Sequence, residues 1–256
     1  MIKNHTIGVV IPCYQVAQNI VSVIEGIPKY VDAIIAVNDA STDDTGQMLE
    51  GIQCERLTVL HHNKNRGVGG AMATGYRHTF REGIEIVVKL DGDGQMEPMH
   101  MIDLVRPIIY GTCDYAKGNR FLHTTELKKM PLFRKIGNTV LNYLTKISSG
   151  YLRVSDPQNG YLAIRAEFLP KLDLDRIQTS RYFFENEMLI QLNRVTARVM
   201  DLPIPAVYNG SPSSLRISEV IQYYPMMLLR GFLSRILRRF RLYRFRSSRG
   251  SVEPQE

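Results

Sequence analysis

The sequence has few cysteines, no signal segment and no long apolar run, and each shortage narrows the class of protein. Its 256 residues include three cysteines, none of them in a C-x-x-C pair, so a disulfide framework finds no support and a reducing compartment fits best. Residues 1–12 lack a basic stretch followed by an apolar one, so we expect a cytoplasmic location. No apolar run approaches the roughly 20 residues that a membrane-spanning helix needs.

Several catalytic signatures are also missing from the chain. There is no G-x-S-x-G, no H-E-x-x-H and no G-x-x-x-x-G-K-[ST]. The glycine-rich segment 65–75 is similar to a dinucleotide fingerprint, but Met72 stands where the third glycine is required. We therefore interpret its glycines and alanines as small residues that let a helix pack closely on a sheet, with an N-terminus suited to an anion.

The positive charge is concentrated at one end of the chain. The net charge is +7, and residues 216–256 contain nine arginines and three glutamates, which leaves only +1 for residues 1–215. The basic character therefore belongs to a tail. Nucleic acid is not an expected partner, because nothing in the main domain continues the basic stripe.

The apolar pattern predicts an α/β fold. Short β-branched runs at 7–11, 34–37, 57–60 and 86–90 alternate with helical spacing, which is typical of βαβ units and a parallel sheet. Further helices are predicted over 102–109, 133–147 and 182–192, and further strands over 161–164 and 197–202. Because no linker interrupts the chain, we expect one catalytic domain over 1–215 and an amphipathic helical tail over 216–256.

Polar side chains follow the second predicted strand. Asp39 is nearest the strand end, where a carboxylate can accept hydrogen bonds from a ribose or a base, so we expect it to bind ligand. Thr42 and Asp43 come slightly later, and an N-cap of the next helix is the better interpretation for them.

The fourth strand ends in the sequence DGDGQ, residues 91–95. In extended chain, residues two apart point the same way, so Asp91, Asp93 and Gln95 present three oxygen donors on one side. Hard oxygen donors suit Mg²⁺ or Mn²⁺, which keep open positions for substrate phosphates. The alternative is a solvated turn, but two adjacent carboxylates without a cation repel each other, so we favour metal binding.

The order of these motifs resembles that of family 2 glycosyltransferases, with dolichyl- or polyprenyl-phosphate mannose synthases as the nearest likeness. The resemblance covers about residues 5–215 and depends on the order and spacing of eight segments: VIPCY (10–14), AVNDASTD (36–43), NRGVGGA (65–71), DGDGQ (91–95), GNR (118–120), RKIGN (134–138), DPQNGY (156–161) and FENEML (184–189).

The resemblance implies a GT-A fold, a Rossmann-like and mainly parallel sheet flanked by helices, and an inverting transfer from a nucleotide-sugar donor. It implies a donor site with a divalent metal, Mg²⁺ or Mn²⁺, held by Asp91, Asp93 and Gln95. The residues implied to bind the nucleotide sugar are Pro12, Tyr14, Asn38, Asp39, Asp91, Gly92 and Asp93. Asn38 stands where many relatives have aspartate, and Asn138 where serine is common, which weakens an assignment to mannose.

Two acceptors remain open. A polyprenyl phosphate is already anionic and needs cations instead of a base, and the candidates for binding its phosphate are Arg120, Arg134, Lys135 and Asn138. A sugar hydroxyl, in glycan or cell-wall assembly, needs a base, and the candidates are Asp156, Glu185 and Glu187. The residues expected to take part in catalysis are Asp93, Arg120 and Asp156.

The tail has an amphipathic pattern. One helical face carries the apolar residues, and arginines lie largely opposite; the apolar residues are Leu229, Phe232, Leu233, Ile236, Phe240 and Tyr243. Such a helix suits an anionic membrane surface, and packing on the body of the protein is the alternative. We thus expect an enzyme peripheral to the cytoplasmic face of a membrane; a non-catalytic nucleotide-binding or membrane-docking module is the remote alternative.

Overall fold

The protein is built around one seven-stranded sheet. The computed structural model describes residues 2–122, 132–179, 183–205 and 225–237. The strands are β1 Ile7–Cys13, β2 Ala33–Asn38, β3 Leu57–His61, β4 Ile86–Lys89, β5 Tyr115–Asn119, β6 Leu162–Arg165 and β7 Val199–Pro203. The order across the sheet is β3-β2-β1-β4-β6-β5-β7. Strands from both halves of the chain thus share one sheet.

The helices are α1 Ile20–Glu25, α2 Thr45–Gly51, α3 Gly67–Arg81, α4 Met101–Ile109, α5 Leu132–Ser149, α6 Leu174–Thr179, α7 Phe184–Arg194 and α8 over 225–237. None of these described helices has the length and apolar content needed to cross a bilayer. The four strands predicted in the first half are confirmed. Strand β5 and helix α6 were not predicted, because the runs that form them are short and contain polar residues.

Two apolar clusters cover the two faces of the sheet. Neighbouring residues of β1 point to opposite faces, so Val9 packs with α1 and α4 whereas Val10 packs with α3. Helix α3 lies very close to β1, because a Cβ added at Gly75 would come within 2.2 Å of Val10 Cγ1. The glycine-rich segment therefore does allow close helix–sheet packing, as the sequence indicated.

The sheet changes direction at β6. Strands β1 to β4 are parallel, whereas β6 is antiparallel to both β4 and β5. The chain leaves β1 toward β2 on one side, and β4 lies on its other side, which makes the carboxyl end of β1 a topological switch point. Ligands of open α/β sheets bind at such a point.

Helix α8 packs on the body of the protein through one face. Leu228 is buried beside Phe183, and its carbonyl accepts a hydrogen bond from Ser148 Oγ of α5 at 2.7 Å. A Cβ at Gly231 would come within 2.5 Å of the same hydroxyl oxygen, so α5 and α8 lie in close contact. This part of the tail therefore adopts the packed alternative on its inner face.

The outer face of α8 is apolar and exposed. Its exposed apolar side chains recur at helical spacing, and they are Met226, Leu229, Leu233 and Leu237. Phe232 and Ile236, which the sequence placed on the same face, are half-buried. Residues 206–224 and 238–256, which include Phe240 and Tyr243 of the tail, lie outside the described residues.

Candidate active site

The carboxyl ends of β1, β2 and β4 meet at one edge of the sheet. Cys13 lies beside Asn38 in the register of β1 and β2, and the Asp39 amide donates to the Cys13 carbonyl at 2.8 Å. The Leu90 amide donates to Val10 at 3.1 Å, so the segment after β4 starts at the same edge. The structure thus brings together the segments that contain the predicted nucleotide-sugar residues.

The Asp39 carboxylate is buried and fully engaged within the protein. Its Oδ1 accepts from His62 Nδ1 at 2.6 Å, and its Oδ2 accepts from the Gly67 amide at 2.7 Å. The Arg66 amide also lies within 3.1 Å of both oxygens. In this structure Asp39 therefore ties β2 to the N-terminus of α3, and its contact with a nucleoside stays a prediction.

Asn38 and Tyr14, which were also predicted to bind at this edge, differ in exposure. Asn38 is buried, and its Oδ1 accepts from the Ser41 amide at 3.1 Å while its amide nitrogen lies 3.2 Å from His61 Nδ1. Tyr14 is 45% exposed and so presents a ring to solvent at the switch point. An exposed ring at this position is available to a flat ligand group.

Asp43 supports the start of α2, but the N-cap position is Asp44, without a side-chain capping bond, so the N-cap prediction for Thr42 and Asp43 was wrong in position. Its Oδ1 accepts from Thr45 Oγ1 at 2.6 Å and from the Thr45 amide at 3.2 Å. Its other oxygen accepts from the Ala17 amide at 3.3 Å. This loop therefore has a structural explanation that requires no ligand.

The DGDGQ segment forms one wall of a cleft. Asp91 and Gln95 line the cleft, and so do Arg120, Gln158 and Tyr161 from later segments of the chain. Asp93 Oδ1 accepts from the Gln95 amide at 3.0 Å. Burial, together with the charge of Asp91, raises the pKa of Asp93, which shows that the two carboxylates are close enough to repel each other.

This donor set fits a divalent ion that is completed by a substrate. In the residues that the structure describes, no three His, Cys, Asp or Glu side chains form a cluster able to hold a metal. Two carboxylates and an amide are hard oxygen donors, and Mg²⁺ commonly binds one or two carboxylates plus substrate phosphates. The segment therefore suits an ion shared with a diphosphate.

A buried lysine that the sequence analysis overlooked lies behind Asp91. Lys89 Nζ donates to Asp91 Oδ1 at 2.6 Å and to the Gly160 carbonyl at 3.2 Å, and it lies 3.3 Å from Glu185 Oε1. Burial alone would lower the pKa of Lys89, but Asp91 and Glu185 raise it above its usual value. Lys89 is therefore a fixed positive charge between β4, the 156–161 loop and α7.

A second buried lysine donates to the neighbouring carbonyl of the 156–161 loop. Lys117 of β5 donates to the Asn159 carbonyl. Burial lowers the pKa of Lys117 to about 8, although Glu185, Asp156 and Asp201 oppose that shift. Lys89 ends an apolar strand run, which is the signal by which the sequence could have revealed it, whereas Lys117 lies in the polar run YAKGN, which offers no such signal.

Arg120 and Asp156 form a bidentate ion pair. Arg120 Nε lies 2.8 Å from Asp156 Oδ2, and its terminal nitrogen lies 3.0 Å from Oδ1. The Asp156 side chain is 1% exposed, whereas that of Arg120 is 28% exposed and lines the cleft. The geometry thus makes Asp156 the support of Arg120, and Arg120 the member of the pair that a ligand can reach.

The remaining predicted acceptor and base residues lie at different depths. Glu185 reaches Lys89, whereas the buried Glu187 accepts from Gln191 at 2.8 Å and from Arg230 of α8 at 3.1 Å. Arg134, Lys135 and Asn138 fall on α5, but their side chains lie outside what the structure describes.

The fold and the cleft together define an α/β protein with a charged cleft at the carboxyl edge of its sheet, and the sequence comparisons identify the family. The model of glycosyl transferase family 2 matches residues 8–173, well over half of the chain. The chain therefore belongs to family 2 of the glycosyltransferases, as its motifs indicated, and it is a glycosyltransferase with the GT-A fold.

Relatives with assigned activities act on lipid phosphates. The UDP-N-acetylglucosamine–dolichyl-phosphate N-acetylglucosaminyltransferase of Methanococcus voltae is 30% identical over 88% of this chain and 96% of its own length. The undecaprenyl-phosphate mannosyltransferase of Micrococcus luteus is 30% identical over 68% of this chain and 71% of its own.

A solved structure shares the fold. Glucosyl-3-phosphoglycerate synthase from Mycobacterium tuberculosis, in complex with Mn²⁺, UDP and glucosyl-3-phosphoglycerate, has a TM-score of 0.65 to this protein at 19% identity. That alignment covers 91% of this chain and 80% of the synthase. At this identity the likeness supports the fold alone.

Proposed function

We propose that this protein transfers a hexose or a related sugar, with inversion, from a nucleoside diphosphate to a polyprenyl phosphate, with the help of a divalent metal. The proposal rests mainly on one observation. Asp91 and Gln95, which form a carboxylate–amide wall, line the same cleft as the cation Arg120. A transferase of this kind needs one charged wall for each of two anionic substrates.

The donor side of the cleft would stabilise the leaving group. Breaking the anomeric C–O bond releases a nucleoside diphosphate, and a bound Mg²⁺ or Mn²⁺ would stabilise the charge that develops on it. Asp91, Asp93 and Gln95 would hold that ion. The synthase that shares the fold has been solved with UDP and either Mn²⁺ or Mg²⁺, and a divalent ion here would be in line with it, although the proposal depends on the oxygen donors of this chain.

The acceptor side addresses the nucleophile. A phosphate oxygen is already anionic, so it attacks the anomeric carbon without losing a proton first, and attack from the face opposite the leaving group inverts the configuration. Arg120 would orient this phosphate, with its own position fixed by Asp156. Arg134, Lys135 and Asn138 remain further candidates for the same phosphate.

A hydroxyl acceptor is the second candidate, and the pairing of the carboxylates counts against it. Both oxygens of Asp156 bind Arg120, and Glu187 is buried against Arg230. Glu185 lies 3.3 Å from Lys89. Each of these three candidate bases is therefore bound to a cation, which disfavours proton abstraction.

A nucleotide-release screen tests the proposal. Purified protein with Mn²⁺ would be offered GDP- and UDP-sugars, including UDP-N-acetylglucosamine, together with a short polyprenyl phosphate. We expect release of nucleoside diphosphate with one donor, only when the lipid phosphate is present. Asp93→Ala should abolish that release, because one of the two carboxylates for the metal is lost.

Three results would count against the proposal. Equal turnover by Asp93→Ala would remove the metal assignment, and turnover with sugar acceptors but not with lipid phosphates would favour the hydroxyl alternative. Binding of nucleotide sugar with Mn²⁺ but no release with any acceptor would favour a non-catalytic module.

The lipid acceptor implies a peripheral position at a membrane, which we place on its cytoplasmic face. The exposed apolar stripe of α8, with Leu229 and Leu233 at its centre, suits the membrane interface, and the arginines that follow it suit anionic lipid. Deletion of residues 226–256 should release the protein from anionic vesicles in a flotation assay. Unchanged flotation would contradict the membrane role.

A further inference from the structure

Lys89 has a position that the proposed chemistry does not use. Its side chain is 1% exposed, and its Nζ lies between Asp91 and Glu185 of α7. Asp91 belongs to the wall formed by residues 91–95, which we call the donor wall because we propose that it binds the donor. An ammonium group is expensive to bury unless carboxylates compensate it. The shorter contact, at 2.6 Å, is with Asp91 Oδ1, so this oxygen is already occupied by a cation.

The occupied oxygen changes what the donor wall offers to a metal. Oδ1 of Asp91 shares its lone pairs with Lys89, and Oδ2 faces Gly160, where an added Cβ would come within 2.7 Å of it. Lys89 offsets part of the negative charge of Asp91 and Asp93, and the rest of its charge serves Glu185. A divalent ion without nucleotide would therefore meet a less negative site, whereas the donor diphosphate brings further negative charge.

We propose that Lys89 is a positioning residue that holds Asp91 Oδ1, weakens the site for a free divalent cation, and thereby makes tight metal binding depend on the donor diphosphate. This inference rests on the proposed metal-dependent function. Metal and donor then bind as a unit, because the charge that Lys89 removes from the site is restored only by the diphosphate.

The test measures metal affinity and does not depend on turnover. Full-length wild type and Lys89→Met would be titrated with Mn²⁺ alone, and with Mn²⁺ in the presence of UDP or GDP, while free Mn²⁺ is followed by electron paramagnetic resonance. We expect Lys89→Met to bind Mn²⁺ alone about tenfold more tightly, because a positive charge near the ion is lost. The gain in Mn²⁺ affinity that the nucleotide provides should shrink accordingly.

Lys117→Met is the matched control. Lys117 is equally buried and also holds the 156–161 loop, but it donates to the Asn159 carbonyl and not to Asp91. Its loss should leave the affinity for Mn²⁺ alone within about twofold of wild type, since the charge lies farther from the ion. Lys89→Arg, which keeps the charge, should restore the dependence on nucleotide.

A substitution at Glu185 tests the opposite change, a lower affinity for Mn²⁺ alone. Glu185→Gln removes the competing carboxylate, strengthens the attraction between Lys89 and Asp91, and should weaken the binding of Mn²⁺ alone. This variant also keeps the test decisive if Lys89→Met does not fold.

Several outcomes would overturn the inference. Folded Lys89→Met that binds Mn²⁺ alone no better than wild type would do so, as would equal or tighter binding by Glu185→Gln. In either case nucleotide-dependent binding by wild type would leave the proposed function intact. If wild type binds Mn²⁺ with neither nucleotide, the inference and the metal-dependent function fail together.

Discussion

The two walls of the cleft are built in different ways. The donor wall follows strands β1, β2 and β4, which are parallel neighbours, and its carboxylates Asp91 and Asp93 lie within three residues of each other. The acceptor wall is the part of the cleft around Arg120 and Asp156, where we propose that the acceptor phosphate binds. It is assembled from distant segments, because Arg120 follows β5 and Asp156 precedes β6. Its ion pair therefore joins residues that are 36 positions apart.

This difference predicts how substitutions in each wall should affect stability and activity. The donor wall keeps negative charge that Lys89 compensates only in part, so it depends on a further cation, whereas Arg120 of the acceptor wall is held by the carboxylate of Asp156. Lys89 belongs to both walls, since it contacts Asp91 and the Gly160 carbonyl. Changes in the acceptor wall should therefore damage stability and activity together, whereas changes in the donor wall should separate them.

Arg120→Ala should have the largest effect. The change leaves Asp156 buried without its partner, and the loss of one member of a buried pair destabilises a protein by about 3–5 kcal/mol. Denaturant unfolding should show this loss, and nucleotide release with a lipid phosphate should fall to background in the fraction that remains folded.

Arg120→Lys is the control for that change, because it keeps the positive charge but loses the bidentate geometry. It should recover most of the stability and little of the activity. A fully active Arg120→Ala would show that the acceptor phosphate binds elsewhere.

Gly160→Ala should have the next largest effect. A methyl group there would come within 2.5 Å of Lys89 Nζ and 2.7 Å of Asp91 Oδ2, so the pair must separate or the loop must move. Since a displacement of about 1 Å at a reacting centre can reduce the rate on the order of a hundredfold, turnover should fall by about that factor.

Gly51→Ala is the matched control, because a Cβ at Gly51 meets nothing within 4 Å. Its turnover and its free energy of unfolding should be those of wild type or slightly higher. Wild-type turnover in Gly160→Ala would mean that the spacing between the loop and Asp91 is not critical.

Gly75→Ala should affect stability but spare the chemistry. Its Cβ would overlap Val10 Cγ1 at 2.2 Å and push α3 away from β1, which costs about 1–3 kcal/mol as overpacking does in other cores. Thermal unfolding should move to a lower temperature, while the turnover of folded protein stays close to wild type. A selective loss of turnover would show instead that α3 contributes directly to donor binding.

Lys117→Met should have the smallest effect, which is a change in the free energy of unfolding that depends on pH. The pKa of Lys117 is lowered to about 8 in the folded protein from an ordinary value of 10.5, so between these pH values the unfolded chain holds a proton that the folded chain lacks. Stability should therefore rise with pH across that window. Charged neighbours that contribute are Glu185, Asp156, Asp201 and Lys89.

The measurement is the difference in unfolding free energy between wild type and Lys117→Met, from pH 7.5 to pH 11. The advantage of Lys117→Met should be constant below about pH 8 and should shrink toward pH 10.5. A flat difference would mean that Lys117 keeps its ordinary pKa in the folded protein.

The donor wall was largely predictable from the sequence. Its strands are apolar and β-branched, and Asp91 and Asp93 follow a strand directly, so periodicity gave both the element and the edge. The role of Asp39 was less predictable, because its partners lie in other segments. They are His62, directly after β3, and two backbone amides at the start of α3. A carboxylate at a strand end has the same sequence pattern whether it binds a ligand or the protein.

The acceptor wall was predictable only in part. Arg120 and Asp156 were both singled out, but as a phosphate ligand and a possible base, and the bond between them was not foreseen. The reason is that side-chain pairing over long separations depends on strand order, and β6 runs antiparallel between β4 and β5. Strand β5 was also not predicted, since its run YAKGN has little apolar character.

By itself the sequence determined the α/β class, the parallel first half, the DGDGQ segment and the family of glycosyltransferases. These depend on local periodicity and on the order of motifs along the chain. Only the tertiary structure decided that Asp91 already has Lys89 as a partner, that Arg120 is fixed by Asp156, and that α8 packs by one face and exposes the other. Those features arise where distant segments meet in a buried, weakly screened environment, in which a charge must find its partner across the fold.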